Sequence, residues 1–251
     1  MKRVFLLLIL CLFAACGAEV EKSLLETKTE DMQQNVQQKG QSIQRVPLES
    51  GSTEEKTDYI SPIDFNVLQS TNPDIYAWLH IPKAEISYPV LQHSEDDSFY
   101  LTHDSEGNEK QAGALFTEHT YNSMDFNDPV TIIYGHRMNT GTMFSNLQPF
   151  YSNPENFRQH KGITLFLPDR QLNYEVFAAV VYDDRHILDN YDFHRARVYQ
   201  AFFESVFDIR AFNSNVDMNC ELDYDSKILV LSTCLQGDYS QRYLVFAKQI
   251  E

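Results

Sequence analysis

From about residue 60 onward, short runs in which apolar and polar residues alternate are separated by turn-forming residues, the pattern of β-strands. Residues 76–81 and 85–92 read this way, followed by 113–118, 130–136, 163–167 and 172–182. The most apolar run, Lys227-Ile228-Leu229-Val230-Leu231-Ser232, predicts a central strand, and residues 243–247 form another. Helical spacing appears in residues 192–207, with Ala196, Tyr199, Phe202, Phe203 and Val206 on one face, and a short helix is expected over 142–147. An earlier helix should start at Ser61-Pro62-Ile63-Asp64, with Ser as N-cap, Pro in the first turn and an acid three residues on, and should run to residue 69 or 70. Strands dominate. The predicted fold is mainly β: a mostly antiparallel or mixed barrel of about eight strands with peripheral helices, one N-terminal and a long one before the penultimate strand.

The N-terminal quarter reads differently. Lys2-Arg3 precede an almost unbroken apolar run over residues 4–15. That is shorter than the roughly 20 residues needed to span a bilayer as a helix, so it predicts an export signal, residues 1–16. Leu12-Phe13-Ala14-Ala15-Cys16-Gly17 resembles the lipobox of bacterial lipoproteins, which implies lipidation of Cys16, although Phe13 stands where Leu is usual. An ordinary cleavage site and an uncleaved signal anchor are the alternatives. Residues 17–59 are rich in Glu, Lys, Gln, Ser and Thr and poor in apolar side chains, the composition of a flexible stalk. The folded domain is expected over 60–251.

Composition narrows the function. With 43% hydrophobic residues a sizeable core is available, and a net charge of -16 argues against nucleic acid and against loose adhesion to anionic lipid. Of four cysteines, Cys11 and Cys16 belong to the signal, leaving Cys220 and Cys234 in the domain. These two could pair in an oxidising compartment, unless Cys234 serves as a free thiol, in which case Cys220 is a lone buried or loop residue.

Three positions carry candidate chemistry. Cys234 follows the apolar strand, His136 ends another, and Arg242 opens the last, so a thiol, an imidazole and a guanidinium could meet at one barrel rim. A thiolate attacks an amide carbonyl well, histidine can protonate the leaving amine, and arginine offers the oxyanion a permanent positive donor. Taken singly, each has a plainer reading as a core cysteine, a loop histidine or a surface-paired arginine. No cofactor is implied and no metal site is evident; Asp223 and Asp225 read as a solvated turn.

The flanking motifs are more specific. Leu231-Ser232-Thr233-Cys234 resembles the signature around the sortase nucleophile. Ile133-Tyr134-Gly135-His136 followed by Gly141-Thr142-Met143-Phe144 resembles the histidine segment of class B sortases, and Arg242-Tyr243-Leu244-Val245-Phe246-Ala247-Lys248 their final strand. Asn72-Pro73-Asp74-Ile75-Tyr76-Ala77-Trp78-Leu79, Ile86-Ser87-Tyr88-Pro89-Val90-Leu91-Gln92, Tyr100-Leu101-Thr102-His103-Asp104 and Ala112-Gly113-Ala114-Leu115-Phe116 match that class in order, so the resemblance covers about residues 60–251. It implies a sortase barrel in which Cys234 is the nucleophile, His136 the general acid and Arg242 the transition-state stabiliser. It further implies that Ser232, Thr233 and Leu101 face the peptide, that the backbone N–H of Leu235 contributes, and that residues 183–225 supply the groove's other wall. Two departures are visible: the stretch from Cys234 to Arg242 is shorter than in some class B relatives, and Leu235-Gln236 stand where an acid could follow the cysteine.

The resemblance implies cleavage of a C-terminal sorting signal like Asn-Pro-X-Thr-Asn on secreted proteins, and transfer of the acyl group to an amine of a peptidoglycan precursor. The expected location is the outer face of a Gram-positive membrane, reached through an N-terminal lipid or signal anchor. A pilin lysine as acceptor is one alternative, and a sortase fold that binds wall proteins without cutting them is another. Papain-like and NlpC/P60-like peptidases place cysteine before histidine and at a helix start, whereas here His136 comes first and Cys234 follows a strand.

Overall fold

The computed structural model describes residues 59–250; the expected export signal, most of the stalk and Cys16 lie outside the described residues. Among the described residues nine strands form one sheet: β1 (Ile75–Ile81), β2 (Ile86–Leu91), β3 (Leu115–Phe116), β4 (Val130–Tyr134), β5 (Gly162–Phe166), β6 (Gln171–Asp183), β7 (Asn215–Val216), β8 (Ile228–Leu235) and β9 (Asp238–Ile250). Their order is β5-β1-β2-β3-β4-β8-β9-β6-β7, and β5 also pairs with β6. Eight strands therefore close into a barrel and β7 hangs on the edge of β6, as the strand pattern led one to expect. The sheet is mixed: β2–β3 and β4–β8 run parallel, while the other pairs are antiparallel.

Alternation along β8 sorts its side chains into two cores. Leu229 and Leu231 fill the barrel interior with Leu79, Val176, Tyr243 and Val245. Ile228 and Val230 face outward and pack with Leu244 and Phe246 beneath a helix. Both faces are buried, which is why this strand reads as a continuous apolar run. The covering helix is the longest of five among the described residues: α1 (Phe65–Thr71), α2 (Leu147–Tyr151), α3 (Pro154–Gln159), α4 (Ile187–Asn190) and α5 (Ala196–Phe207). Tyr199, Phe202, Phe203 and Val206 form the buried stripe of α5. Burying side chains of this size contributes about 1.5–3 kcal/mol each, enough to hold α5 against the sheet.

Several boundaries differ from the sequence reading. The cap of α1 is Asp64, whose side chain accepts from the Val67 N–H, so Ser61 and Pro62 precede the helix. The expected helix over 142–147 is instead a turn: Ser145 Oγ bonds the carbonyls of Met138 and Thr142, the local competition that disfavours helix at serine, and α2 begins only at Leu147. β8 extends to Leu235 and β9 starts at Asp238, so Cys234 and Arg242 lie inside strands rather than beside them.

The loop before β4 contributes Phe126 to the barrel core. Phe126 is buried with a left-handed φ of 57° and stacks on Tyr76 at 5.5 Å. Around it, Asp125 accepts from the Ser123 hydroxyl and from the backbone and side chain of Asn127. The Ser123 hydroxyl above all, then the Asn127 groups, hold the Asp125 carboxyl down at about 2, against an ordinary 3.8. A depressed carboxylate pKa stabilises the fold above the ordinary value and ceases to as pH falls through the folded one. Thermal melting is thus expected to weaken from about pH 4 to pH 2, with a shallower slope in Asp125→Asn; an identical slope would remove Asp125 from the account.

Candidate active site

The β4–β8 ladder pairs Tyr134 with Ser232 in parallel, and the Gly135 N–H continues it to the Ser232 carbonyl at 3.1 Å. Two residues further along each chain stand His136 and Cys234. On the other side of β8, the β8–β9 hairpin pairs Cys234 directly with Arg242. Opposed residues of an antiparallel pair hold their Cβ atoms about 4.5–5.5 Å apart on one face. Three adjacent strands thus bring thiol, imidazole and guanidinium to one rim, on the outward face shared with Ile132, Val230 and Leu244. The hairpin turns tightly at Gln236-Gly237, where Gly237 has φ 86°, and the register then skips residues 239–241 before Arg242. The Gln236 N–H is held by Gln148 Oε1 of α2 at 3.0 Å.

His136 is oriented from a distant loop. Its Nε2 lies 2.7 Å from the carbonyl of Leu101, at the end of a 3₁₀ turn, Phe99–Leu101. A carbonyl only accepts, so Nε2 carries the proton and Nδ1 is the nitrogen left to exchange one. The same contact explains Gly113. Its φ is 58°, and a Cβ there would stand 2.4 Å from the Tyr100 carbonyl, 3.0 Å from that of Leu101 and 3.2 Å from His136 Cδ2. Gly113→Ala is expected to lower kcat/KM by about 10- to 100-fold, since a displacement near 1 Å at a reacting group can cost that much. Gly141→Ala, equally left-handed at φ 82° but with no atom within 4 Å of the added Cβ, is the control that carries backbone strain alone. Equal losses in the two would sink the explanation.

A cavity of about 290 Å³ lies over these residues. Its floor includes Ile132, Tyr134, Ser232, Cys234, Arg242 and Leu244. One wall holds Asp97, Ser98 and Leu101; the other is the stretch 183–187, from the end of β6 into α4. Of the residues proposed from sequence, Cys234, His136, Arg242, Ser232, Thr233 and Leu101 line this one space. Thr233 is nearly fully buried and its hydroxyl has no hydrogen-bond partner. Leu235 does not line it: its side chain packs against the barrel core, so any part it takes falls to its backbone. The wall at 183–187 was foreseen as a region only; Glu118, Tyr134 and His186 were not singled out, because nothing local marks a residue that reaches the cavity across 68 positions of chain.

Burial first, then the charge of Glu118, pushes the Tyr134 phenol well above its ordinary value, so it stays protonated in the cavity floor. Cys220 and Cys234 are both free thiols. Cys220 sits half-buried against the outer core, where burial pushes its pKa up, so the structure contains no bridge between the two. Among the described residues no group of side chains could hold a metal ion, and no helix is long and apolar enough to cross a membrane.

Comparisons with known proteins agree with this architecture. The Sortase domain family profile matches residues 79–250. Sortase B of Listeria monocytogenes is 31% identical over 187 residues, covering 71% of this chain and 70% of that protein. Sortase B of Staphylococcus aureus is 27% identical over 255 residues, covering 99% and 95%. Among solved structures, a sortase B of Bacillus anthracis aligns with TM-score 0.67 at 26% identity over 90% of this chain and 97% of that one. The barrel and its thiol-bearing rim define a cysteine transpeptidase, and the chain belongs to the sortase family. Within that family it is a class B sortase.

Proposed function

We propose that this sortase cleaves a C-terminal sorting signal of the Asn-Pro-X-Thr-Asn type on secreted proteins and transfers the acyl group to an amine of a peptidoglycan precursor. The observation that carries the reading is the strand register around Cys234, with Ser232 beside Tyr134 on one side and Arg242 opposite Cys234 on the other. The Cys234 thiol passes its proton to His136 Nδ1, and the thiolate Sγ attacks the threonine carbonyl carbon. Arg242 meets the charge that develops on its oxygen. As the C–N bond breaks, His136 gives a proton from Nδ1 to the departing amine, its Nε2–H staying on the Leu101 carbonyl. The neutral acceptor amine then attacks the thioester and gives one proton to His136 Nδ1, and the Cys234 thiolate leaves and takes that proton back, restoring the starting charges. Ser232, Thr233 and Leu101 line the space in which the peptide is held; no cofactor is needed for any step.

The lining supports a peptide occupant, since it joins apolar side chains such as Leu101, Ile132 and Leu244 to polar ones such as Ser98, Ser232 and Arg242 in one partly open space. The enzyme would work at the outer face of a Gram-positive membrane, with residues 1–16 as export signal, residues 17–59 as stalk, and attachment through lipid on Cys16 or a retained anchor. The test is to mix the chain with a peptide bearing the signal and look by mass spectrometry for an adduct on Cys234 that added amine discharges. Cleavage without a Cys234 adduct would overturn the mechanism. Labelling of the expressed protein with a lipid precursor, lost in Cys16→Ala, tests the tether separately.

A further inference from the structure

The strands fix the floor of the groove but not its walls. One wall lies in the loop between β2 and β3, the other between β6 and α5, and no ladder joins the two. What lies between them is the segment Glu118-His119-Thr120-Tyr121, two residues after β3. Toward the far wall, Glu118 Oε1 accepts from His186 Nε2 at 2.8 Å, and the Tyr121 hydroxyl donates to Asp189 at 3.2 Å, with the Tyr121 and His186 rings 5.0 Å apart. Toward the near wall, His119 Nδ1 stands 2.5 Å from Asp97, and the Thr120 N–H donates to the same carboxylate at 3.3 Å.

Each contact has a settled chemistry. His186 caps α4, its Nδ1 accepting from the Asp189 N–H at 3.1 Å, so the Nε2 facing Glu118 carries the proton. Glu118 is mostly buried, with a side-chain exposure of 13%, and its Oε2 has no hydrogen-bond partner. Burial pushes the Asp97 carboxyl up, but the Thr120 hydrogen bonds and His119 outweigh it, so Asp97 is held below the ordinary carboxylate range. Asp97, Glu118 and His186 all line the cavity.

We propose that residues 118–121 are a brace that sets the spacing of the two groove walls, with Glu118 and His119 acting as positioning residues for the peptide substrate. The idea rests on the reading of this groove as the peptide site. Because the brace touches the walls and not the reacting atoms, it should govern how well the peptide is held rather than how fast the held peptide reacts. Two side chains joined in one contact should also show a non-additive effect when both are removed.

The experiment uses the full chain, a sorting-signal peptide and hydroxylamine as acceptor, measuring kcat and KM. Glu118→Ala, His186→Ala and His119→Ala should each raise KM about tenfold with kcat within twofold of wild type. The Glu118→Ala/His186→Ala double variant should be no worse than either single one. Glu118→Gln, which keeps an oxygen acceptor for His186 Nε2–H, should stay near wild type. Tyr121→Phe removes only the Asp189 link, serves where Glu118→Ala folds poorly, and should raise KM a few-fold. Unchanged KM, multiplicative effects in the double variant, or losses confined to kcat would overturn the brace. Absence of wild-type turnover would instead overturn the peptide-groove reading, and the two failures are told apart in one assay.

Discussion

Replacing Cys234 by alanine is expected to remove thioester formation and acyl transfer together, a loss on the order of 10⁴- to 10⁶-fold, as for other enzymes stripped of their nucleophile. Cys234 is only half-buried and lies one residue before the end of β8, so losing one sulfur should shift stability by no more than about 0.5–1 kcal/mol. The variant should therefore fold and still bind peptide. Cys234→Ser should not rescue it, because a hydroxyl beside His136 and Arg242 remains a far weaker nucleophile than a thiolate. The check is release of the C-terminal fragment by chromatography, with mass spectrometry for the adduct. Turnover by Cys234→Ala at even one per cent of wild type would reassign the chemistry.

The second large effect is at Arg242. Arg242→Ala is expected to lower kcat by about 10²- to 10³-fold, the usual cost of deleting one donor to a developing oxyanion, with KM changed by only a few-fold. Arg242→Lys should recover a minor part, since the ammonium keeps the charge but not the fixed fork. Arg242 also sits mid-strand opposite both Cys234 and Tyr182, and its Nη1 donates to the Gln241 carbonyl at 3.2 Å. A purely structural role would depress stability and act on KM and kcat alike. Melting temperatures measured beside the kinetics separate the two: a full kcat loss with an unshifted midpoint assigns Arg242 to the transition state, and an unaffected kcat denies it that role.

The parts of the fold that were legible are those in which one element reports its own burial. The run from Ile228 to Leu231 is apolar on both faces because both of its faces carry a core, and the stripe of α5 is spaced by the turn of a helix. β3 was legible as part of the strand expected over 113–118, although only Leu115 and Phe116 pair, whereas β7, at two residues, is too short to show any period and exists only because β6 recruits it. The start of α1 was misplaced by three residues because two capping candidates compete there, and the Asp64 carboxylate, not Ser61, reaches a free helical N–H. β8 and β9 outrun their apolar cores because a hairpin extends hydrogen bonding past the point where side chains need burying.

The same division runs through the site. Cys234, His136 and Arg242 were marked by the strand motifs that hold them, and the structure sets all three around one groove. The Leu101 carbonyl on His136 and the links from Glu118 and His119 to opposite walls were not legible. A backbone carbonyl has no letter in a sequence, and contacts such as Glu118–His186, 68 residues apart, depend on how the barrel closes. The sequence alone marked most of the strands, the buried stripe of α5 and the candidate groups Cys234, His136 and Arg242, because each follows from side-chain chemistry and local period. The tertiary structure decided the register that gathers those groups, the tautomer of His136 and the shape of the groove, because these depend on distances between segments that the chain itself leaves free.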